Sequence, residues 1–213
     1  NNTGGAFTCE DFISTNTTIN HTNDAPFGAA INASFTGAVT VTNGAVDYLI
    51  GTGGAGNWTS TGAGATLQNN SGTWTVADNM EIGATSSFAN DGPASVGGNF
   101  VVNGITSSVT NAVGKSFTIT GDVDVLASSF TLTNAGTFAL VDFDISAALT
   151  VVDVSNVATG GLIFVNVEAS DSDFDIVNLG TINQTGTFVN GEIDADSEFT
   201  NGASARWNYS GTG

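Results

Sequence analysis

Asparagine returns at nearly fixed intervals along most of this chain: Asn69, Asn90, Asn111, Asn134, Asn156, Asn178 and Asn201 stand 21, 21, 23, 22, 22 and 23 residues apart. Their surroundings return with them. Ser87-Phe88-Ala89-Asn90, Ser108-Val109-Thr110-Asn111, Phe130-Thr131-Leu132-Thr133-Asn134, Phe174-Asp175-Ile176-Val177-Asn178 and Glu198-Phe199-Thr200-Asn201 each set a large apolar residue before the Asn, and a glycine or small residue usually follows it. A fixed period of this length restricts the chain to architectures that stack one small unit on copies of itself. Ankyrin and tetratricopeptide units are longer and helical, and a propeller blade takes about 40 residues and four antiparallel strands.

The residue types decide what the unit is. Two basic residues and one Met leave little from which to build a helix surface, whereas Thr, Val, Phe, Asn and Gly abound. Alternating runs such as Val39-Thr40-Val41-Thr42, Thr73-Trp74-Thr75-Val76, Phe117-Thr118-Ile119-Thr120 and Phe130-Thr131-Leu132-Thr133 have the period of two that marks strands, with Asn-Gly, Gly-Gly and Gly-Thr turn signals between them. Three short strands and three turns fill a unit of this size. The expected fold is therefore all-β, a parallel β-helix (β-solenoid) with coils of about 22 residues over 37–213; a β-sandwich or pair of sandwiches is the alternative. Residues 1–36 fit the register poorly and are expected to form an N-terminal cap or an inter-subunit strand segment. The recurrent Asn reads as a corner residue that tolerates the left-handed conformation and stacks on the Asn of the next coil.

Segments such as Asn178-Leu179-Gly180-Thr181-Ile182-Asn183-Gln184-Thr185-Gly186-Thr187-Phe188 and Phe199-Thr200-Asn201-Gly202 resemble the coils of secreted bacterial parallel β-helix surface proteins and adhesins. The resemblance covers roughly residues 65–213. It implies an extracellular, large and non-enzymatic protein.

Charge narrows the partners. Lys115 and Arg206 are the only basic residues against 20 Asp and Glu, for a formal net charge of -18. Nucleic acid is excluded, since neutralising phosphates takes clustered cations, and attraction to anionic lipid or acidic polysaccharide is disfavoured. No apolar run approaches the roughly 18 residues of a membrane span. The start, Asn1-Asn2-Thr3-Gly4-Gly5, lacks both regions of a signal peptide, so the chain is expected to be soluble and already processed or cut from something longer. Cys9 stands alone and allows no internal disulfide.

Catalytic patterns are weak. Gly51-Thr52-Gly53-Gly54-Ala55-Gly56 matches GxGxxG, but the following Asn57-Trp58-Thr59-Ser60 does not open the helix a pyrophosphate site needs. His21 is the only histidine and no GxSxG elbow exists, which removes nucleophilic triads. Two cations 91 residues apart do not supply the base and uronate clamps of a polysaccharide lyase. No catalytic residue is assigned, and the expectation is a chain that is not an enzyme.

The acids form a pattern of their own. Asp122-Val123-Asp124, Asp142-Phe143-Asp144, Asn166-Val167-Glu168 and Glu192-Ile193-Asp194 align as polar residues flanking one apolar residue in successive coils. Stacked about 4.8 Å apart, such carboxylates repel one another, and Ca²⁺, a hard cation that prefers carboxylate and carbonyl oxygens, would turn the repulsion into cohesion. Asp122, Asp124, Asp142, Asp144, Glu168, Glu192 and Asp194 are thus candidate metal ligands, with a solvated acidic face as the plain alternative. Thr-x-Thr pairs at Thr40, Thr73, Thr118, Thr131 and Thr185 raise an ice-binding array, but they lie at different distances from the Asn and would not form one file. Trp58, Trp74 and Trp207 are core or cap residues before they are a sugar-stacking platform.

The function expected from these features is a non-catalytic extracellular structural or adhesive β-solenoid at the cell surface, associating head to tail with itself into a fibre or stalk and contacting cell-surface glycans. A calcium-dependent glycan-binding module and a polysaccharide-degrading enzyme are the alternatives.

Overall fold

The computed structural model describes residues 5–15, 18–61, 64–145, 151–186, 188–193 and 197–210; for 18–23, 169–172 and 188–193 only the backbone is considered. It is an all-β parallel solenoid without a helix among the described residues. Each coil lays down three strands in turn, and each strand pairs in parallel with its equivalents one coil before and one coil after. The sandwich alternative would give Ser129–Asn134 antiparallel neighbours; it lies parallel to both Phe100–Asn111 and Val151–Asn156.

Three columns result. The first is a ten-stranded sheet running from Phe7–Cys9 to Arg206–Tyr209. The second begins with Phe12–Ser14, Ala33–Phe35 and Trp58–Ser60, and the third with Thr18–Asn23, Ala38–Asn43 and Ala65–Asn69. In three coils the second and third strands fuse into one long bent strand: Met80–Asn90, Phe100–Asn111 and Asn166–Asn178. Those bends join the two columns into one fifteen-stranded sheet. At the first bend Ala84 takes a φ of 53°, the one positive-φ residue other than glycine among the described residues, and the register slips between Ala84 and Thr85.

Coil length varies where a turn is swollen. Tyr48 pairs with Trp74, 26 residues on, while Trp74 pairs with Ala94, only 20 on. The longer coil contains Gly51–Gly56, a turn in which Gly51 and Gly54 have positive φ and after which the chain enters a strand, Trp58–Ser60. The GxGxxG match is this turn. Residues 7–9, 12–14 and 18–23, from the segment that the spacing sets apart, occupy all three columns as the first coil and pair with the second.

Alternation sends every second side chain inward. In the first column one inward position carries Phe7, Phe27, Tyr48 and Trp74 in consecutive coils, with ring centroids 5.4, 4.7 and 4.3 Å apart and planes within 18° of parallel. Parallel in-register pairing makes this stack unavoidable once each coil places an aromatic there. Phe88, Phe100, Phe117 and Phe138 continue the core in edge-on contacts. Each fully buried side chain of this size contributes roughly 1.5–3 kcal/mol, and the core runs as one continuous cluster through the coils.

The recurrent Asn closes the third strand of each coil and points into that core. Asn43, Asn69, Asn111, Asn134, Asn156 and Asn178 are 0 % exposed. Each Nδ2 donates to Oδ1 of the Asn one coil on, at 2.9 Å from Asn43 to Asn69 and 2.8 Å from Asn156 to Asn178, and the file runs on to Asn201. Its second proton goes to a backbone carbonyl at the neighbouring turn, as from Asn69 to Pro93 and from Asn134 to Gly161. None of these Asn residues has the positive φ expected of a corner, because the amide works as a buried bracket inside an extended strand rather than as a turn residue. The turn itself needs glycine for room: a Cβ on Gly72 would overlap the carbonyl of Val46 in the coil below.

Candidate functional site

A second asparagine and aspartate file runs along the corner that leads into the second column. Asp11, Asn32, Asn57, Asn79, Asn99, Asp122, Asp142 and Asn166 each stand one residue before that strand's first inward side chain. Here the side-chain oxygen of one coil accepts from the backbone N–H of the equivalent residue in the next. Asn57 N–H donates to Asn32 Oδ1 at 3.0 Å, Asn79 N–H to Asn57 Oδ1 at 3.1 Å and Asn99 N–H to Asn79 Oδ1 at 2.8 Å. Asp122 N–H donates to Asn99 Oδ1 and Asn166 N–H to Asp142 Oδ1. An oxygen acceptor is all the position demands, so Asp and Asn serve equally. Sequence spacing missed this file because its members change type, yet the signature is legible: Asn or Asp, then an inward apolar residue, an outward residue, and a second inward one.

The outward residue of that signature forms a column beside the file: Ile13, Ser34, Thr59, Glu81, Val101, Asp124, Asp144 and Glu168. Between the two lies an open groove of about 610 Å³ over the earlier coils, from Asp11 and Ile13 to Val101 and Asp124. Its ends are tied off by carboxylates. Asn32 Nδ2 donates to Asp11 Oδ1 at 3.2 Å and Asn99 Nδ2 to Asp124 Oδ2 at 3.0 Å. In the middle, Glu81 accepts from Asn103 Nδ2 at 3.1 Å.

The candidate metal ligands occupy the later half of the same face. Asp124, Asp144 and Glu168 stack in register, one per coil. Asp122 and Asp142 belong to the corner file, Asp122 accepting from the backbone N–H of Asp142. The fourth aligned triplet does not join them, because Val167 pairs with Phe188 and Glu168 with Val189, which displaces Glu192-Ile193 from the expected rung. The coil after Glu168 closes sooner than the alignment requires and carries Ile193 opposite Ser172 instead. Asp194 lies outside the described residues. Partial burial, then the charge of Asp142 and then of Asp124 raise the pKa of Asp122; partial burial, then Asp124, Glu168 and Asp142 raise that of Asp144. Among the described residues no three acidic, His or Cys side chains converge on one point as a metal-binding group would.

The remaining candidates fall elsewhere. Trp58 and Trp74 are wholly buried and Trp207 packs on the core, so none of the three forms a surface platform. Thr40/Thr42 and Thr131/Thr133 face out from the third column, whereas Thr75 and Thr118 belong to the first, so the Thr-x-Thr pairs split between faces as their spacing implies. Cys9 is half-buried beside the carbonyl of Gly28, and burial together with the charge of Asp11 raises its thiol pKa. His21 lies in the strand Thr18–Asn23. Lys115 pairs loosely with Asp91 at 3.9 Å on the surface.

Comparison with protein-family models, with curated proteins and with solved structures finds no match to this chain.

Proposed function

We propose that the chain is a non-catalytic, extracellular structural and adhesive β-solenoid that associates head to tail with further copies of itself into a fibre or stalk. The observation that carries this reading is the state of the core at the two ends of the described stack. The aromatic position that is 0–2 % exposed in Phe27, Tyr48 and Trp74 is 42 % exposed in Phe7. At the opposite end Phe199 is 40 % exposed, while its register equivalents Ile176 and Val154 are buried. The chain carries a net charge of -18, so two copies repel one another side by side, but the end faces present stacked rings and strand edges that another coil would cover. Cell-surface glycans are the ligand class proposed for the adhesive role, through the long outward groove.

Sedimentation velocity and negative-stain electron microscopy over a range of concentrations test the reading. Linear particles that lengthen with concentration, and that shorten when Phe7 and Phe199 are replaced by Ser, are expected. A wild-type chain that stays monomeric at high concentration overturns it. Turnover on a panel of polysaccharides would instead favour the alternative of a carbohydrate-degrading enzyme.

A further inference from the structure

The corner file leaves a set of hydrogen-bonding groups that the fold does not consume. In Asn57 and Asn79 the ladder uses only Oδ1. Neither Nδ2 has an acceptor among the described residues, although the equivalent groups of Asn32 and Asn99 on either side are bound to Asp11 and Asp124. The two free amides lie in adjacent coils, about 4.8 Å apart along the axis, and both line the middle of the groove. Beside them are the hydroxyls of Ser34 and Thr59, which also have no protein partner there, and the carboxylate of Glu81, held in place by Asn103.

The orientation of these groups is fixed before any ligand arrives. Asn57 and Asn79 are each anchored by the bond that Oδ1 accepts, so their Nδ2 donors lose little freedom on binding. The lining mixes amide donors, hydroxyls and carboxylate acceptors; of its apolar residues Ala33 and Trp58 are buried in the core, which leaves Ile13 and Val101, near its two ends, to present apolar surface. A peptide would find no pocket for an apolar side chain and no free strand edge, since the groove lies on a sheet face. An anionic polymer would meet Asp11, Glu81 and Asp124 on a chain of net charge -18, with no cation in the lining to offset them. What remains is an uncharged chain that offers hydroxyl donors and acceptors at short regular intervals.

We propose that the groove between the corner file and the outward column binds a neutral linear glycan lying along the solenoid axis, with Asn57 Nδ2 and Asn79 Nδ2 as the donors and Glu81 as the principal acceptor. This names the ligand and the site for the adhesive role above and rests on that reading, while end-to-end growth uses different residues. The ladder supplies its own conservative probe. Asp already fills the file at positions 122 and 142, and Asp142 Oδ1 makes the same bond to the next coil at 3.0 Å. Asn57→Asp with Asn79→Asp therefore keeps the oxygen acceptors that hold the coils and removes both free donors.

The test is binding of the wild-type chain to an array of neutral and acidic glycans, followed by titration calorimetry with the hexasaccharide of the strongest neutral hit and with hexagalacturonate. Neutral glycans are expected to bind and hexagalacturonate not to. The double Asn→Asp variant is expected to lose at least tenfold in affinity with an unchanged circular dichroism spectrum, and Thr59→Val, which adds no charge, to lose several-fold. The proposal is overturned if no neutral glycan on the array binds, if the acidic one binds as well, or if affinity survives both variants. Sedimentation of the double variant separates the two ideas: rods that still form without glycan binding leave the fibre reading standing, and glycan binding by a chain that never forms rods leaves the groove standing.

Discussion

Asn111 Nδ2 donates at once to Asn134 Oδ1 at 2.9 Å and to the carbonyl of Thr137 at 3.0 Å, so one buried amide holds together both a rung and the turn that follows it. Asn111 Oδ1 in turn accepts from Asn90 at 2.9 Å. Asn111→Ala would strand the donor below, the acceptor above and the turn carbonyl in a dry core. A loss on the order of 3 kcal/mol is expected. Asn79→Ala, in the exposed corner file, is expected to cost about 1 kcal/mol or less, because water replaces the lost partner. Urea unfolding of the two variants checks the difference; equal losses would show that the buried file does not act as a bracket.

Glycine at the Asn turns is a matter of space, and neighbouring positions make the comparison. A Cβ on Gly72 would overlap the backbone of Val46, while one on Gly161 meets nothing within 4 Å. Gly72→Ala is expected to destabilise by about 1–3 kcal/mol as an overpacked contact against backbone, and Gly161→Ala to be close to neutral. Thermal midpoints of both variants decide it.

Acidification should stabilise the later coils. Asp122 and Asp144 have raised pKa values in the fold through burial and neighbouring carboxylates. The folded state therefore holds protons that the unfolded chain releases, and stability is lost as pH rises through the raised folded values and gained as it falls toward the ordinary aspartate value. The unfolding midpoint is expected to rise as the pH is lowered from neutral toward the ordinary aspartate value of about 3.9. Asp144→Asn should raise the midpoint at neutral pH and flatten the dependence. A midpoint that falls steadily over that interval would contradict the repulsive stack.

Divalent cations probe the stacked carboxylates of Asp124, Asp144 and Glu168. If Ca²⁺ settles over Asp124, Asp144 and Glu168, it binds the folded column better than the open chain and raises the midpoint. A rise with millimolar Ca²⁺ that chelator reverses, and that disappears in Asp124→Asn with Asp144→Asn, is the expected result. Equal midpoints with Ca²⁺ and with chelator would leave a solvated acidic face.

The period and the parallel fold were legible because Asn69 to Asn201 mark the same structural position at nearly equal intervals, and the position tolerates no other residue without loss of its bracket. Asn43 joins the file as well, in register with Asn69. It escaped the pattern because the swollen Gly51–Gly56 turn lies in that stretch of chain and spacing alone cannot see around it. The direction of the Asn side chain was misread for a different reason: a short amide suits both a left-handed corner and an inward bracket, and only the neighbouring coils decide between them. The acidic register held for Asp124, Asp144 and Glu168 and failed at Glu192, where the length of one turn shifts the rung. The groove was not legible at all. Ser34, Thr59, Glu81 and Val101 share no chemistry, and they become neighbours only through pairing between coils some twenty residues apart.

The carboxamides of the buried file all point one way: from Asn43 to Asn178, nitrogen always meets the oxygen of the later coil. Their dipoles therefore add along the axis, and the stack is an arrow with a nitrogen tip at Asn201. Two arrows can be laid tip to tail without breaking the sequence of donors and acceptors, but tip to tip they set nitrogen against nitrogen. A rod built from these coils consequently has a plus end and a minus end, and every groove along it faces the same direction of travel.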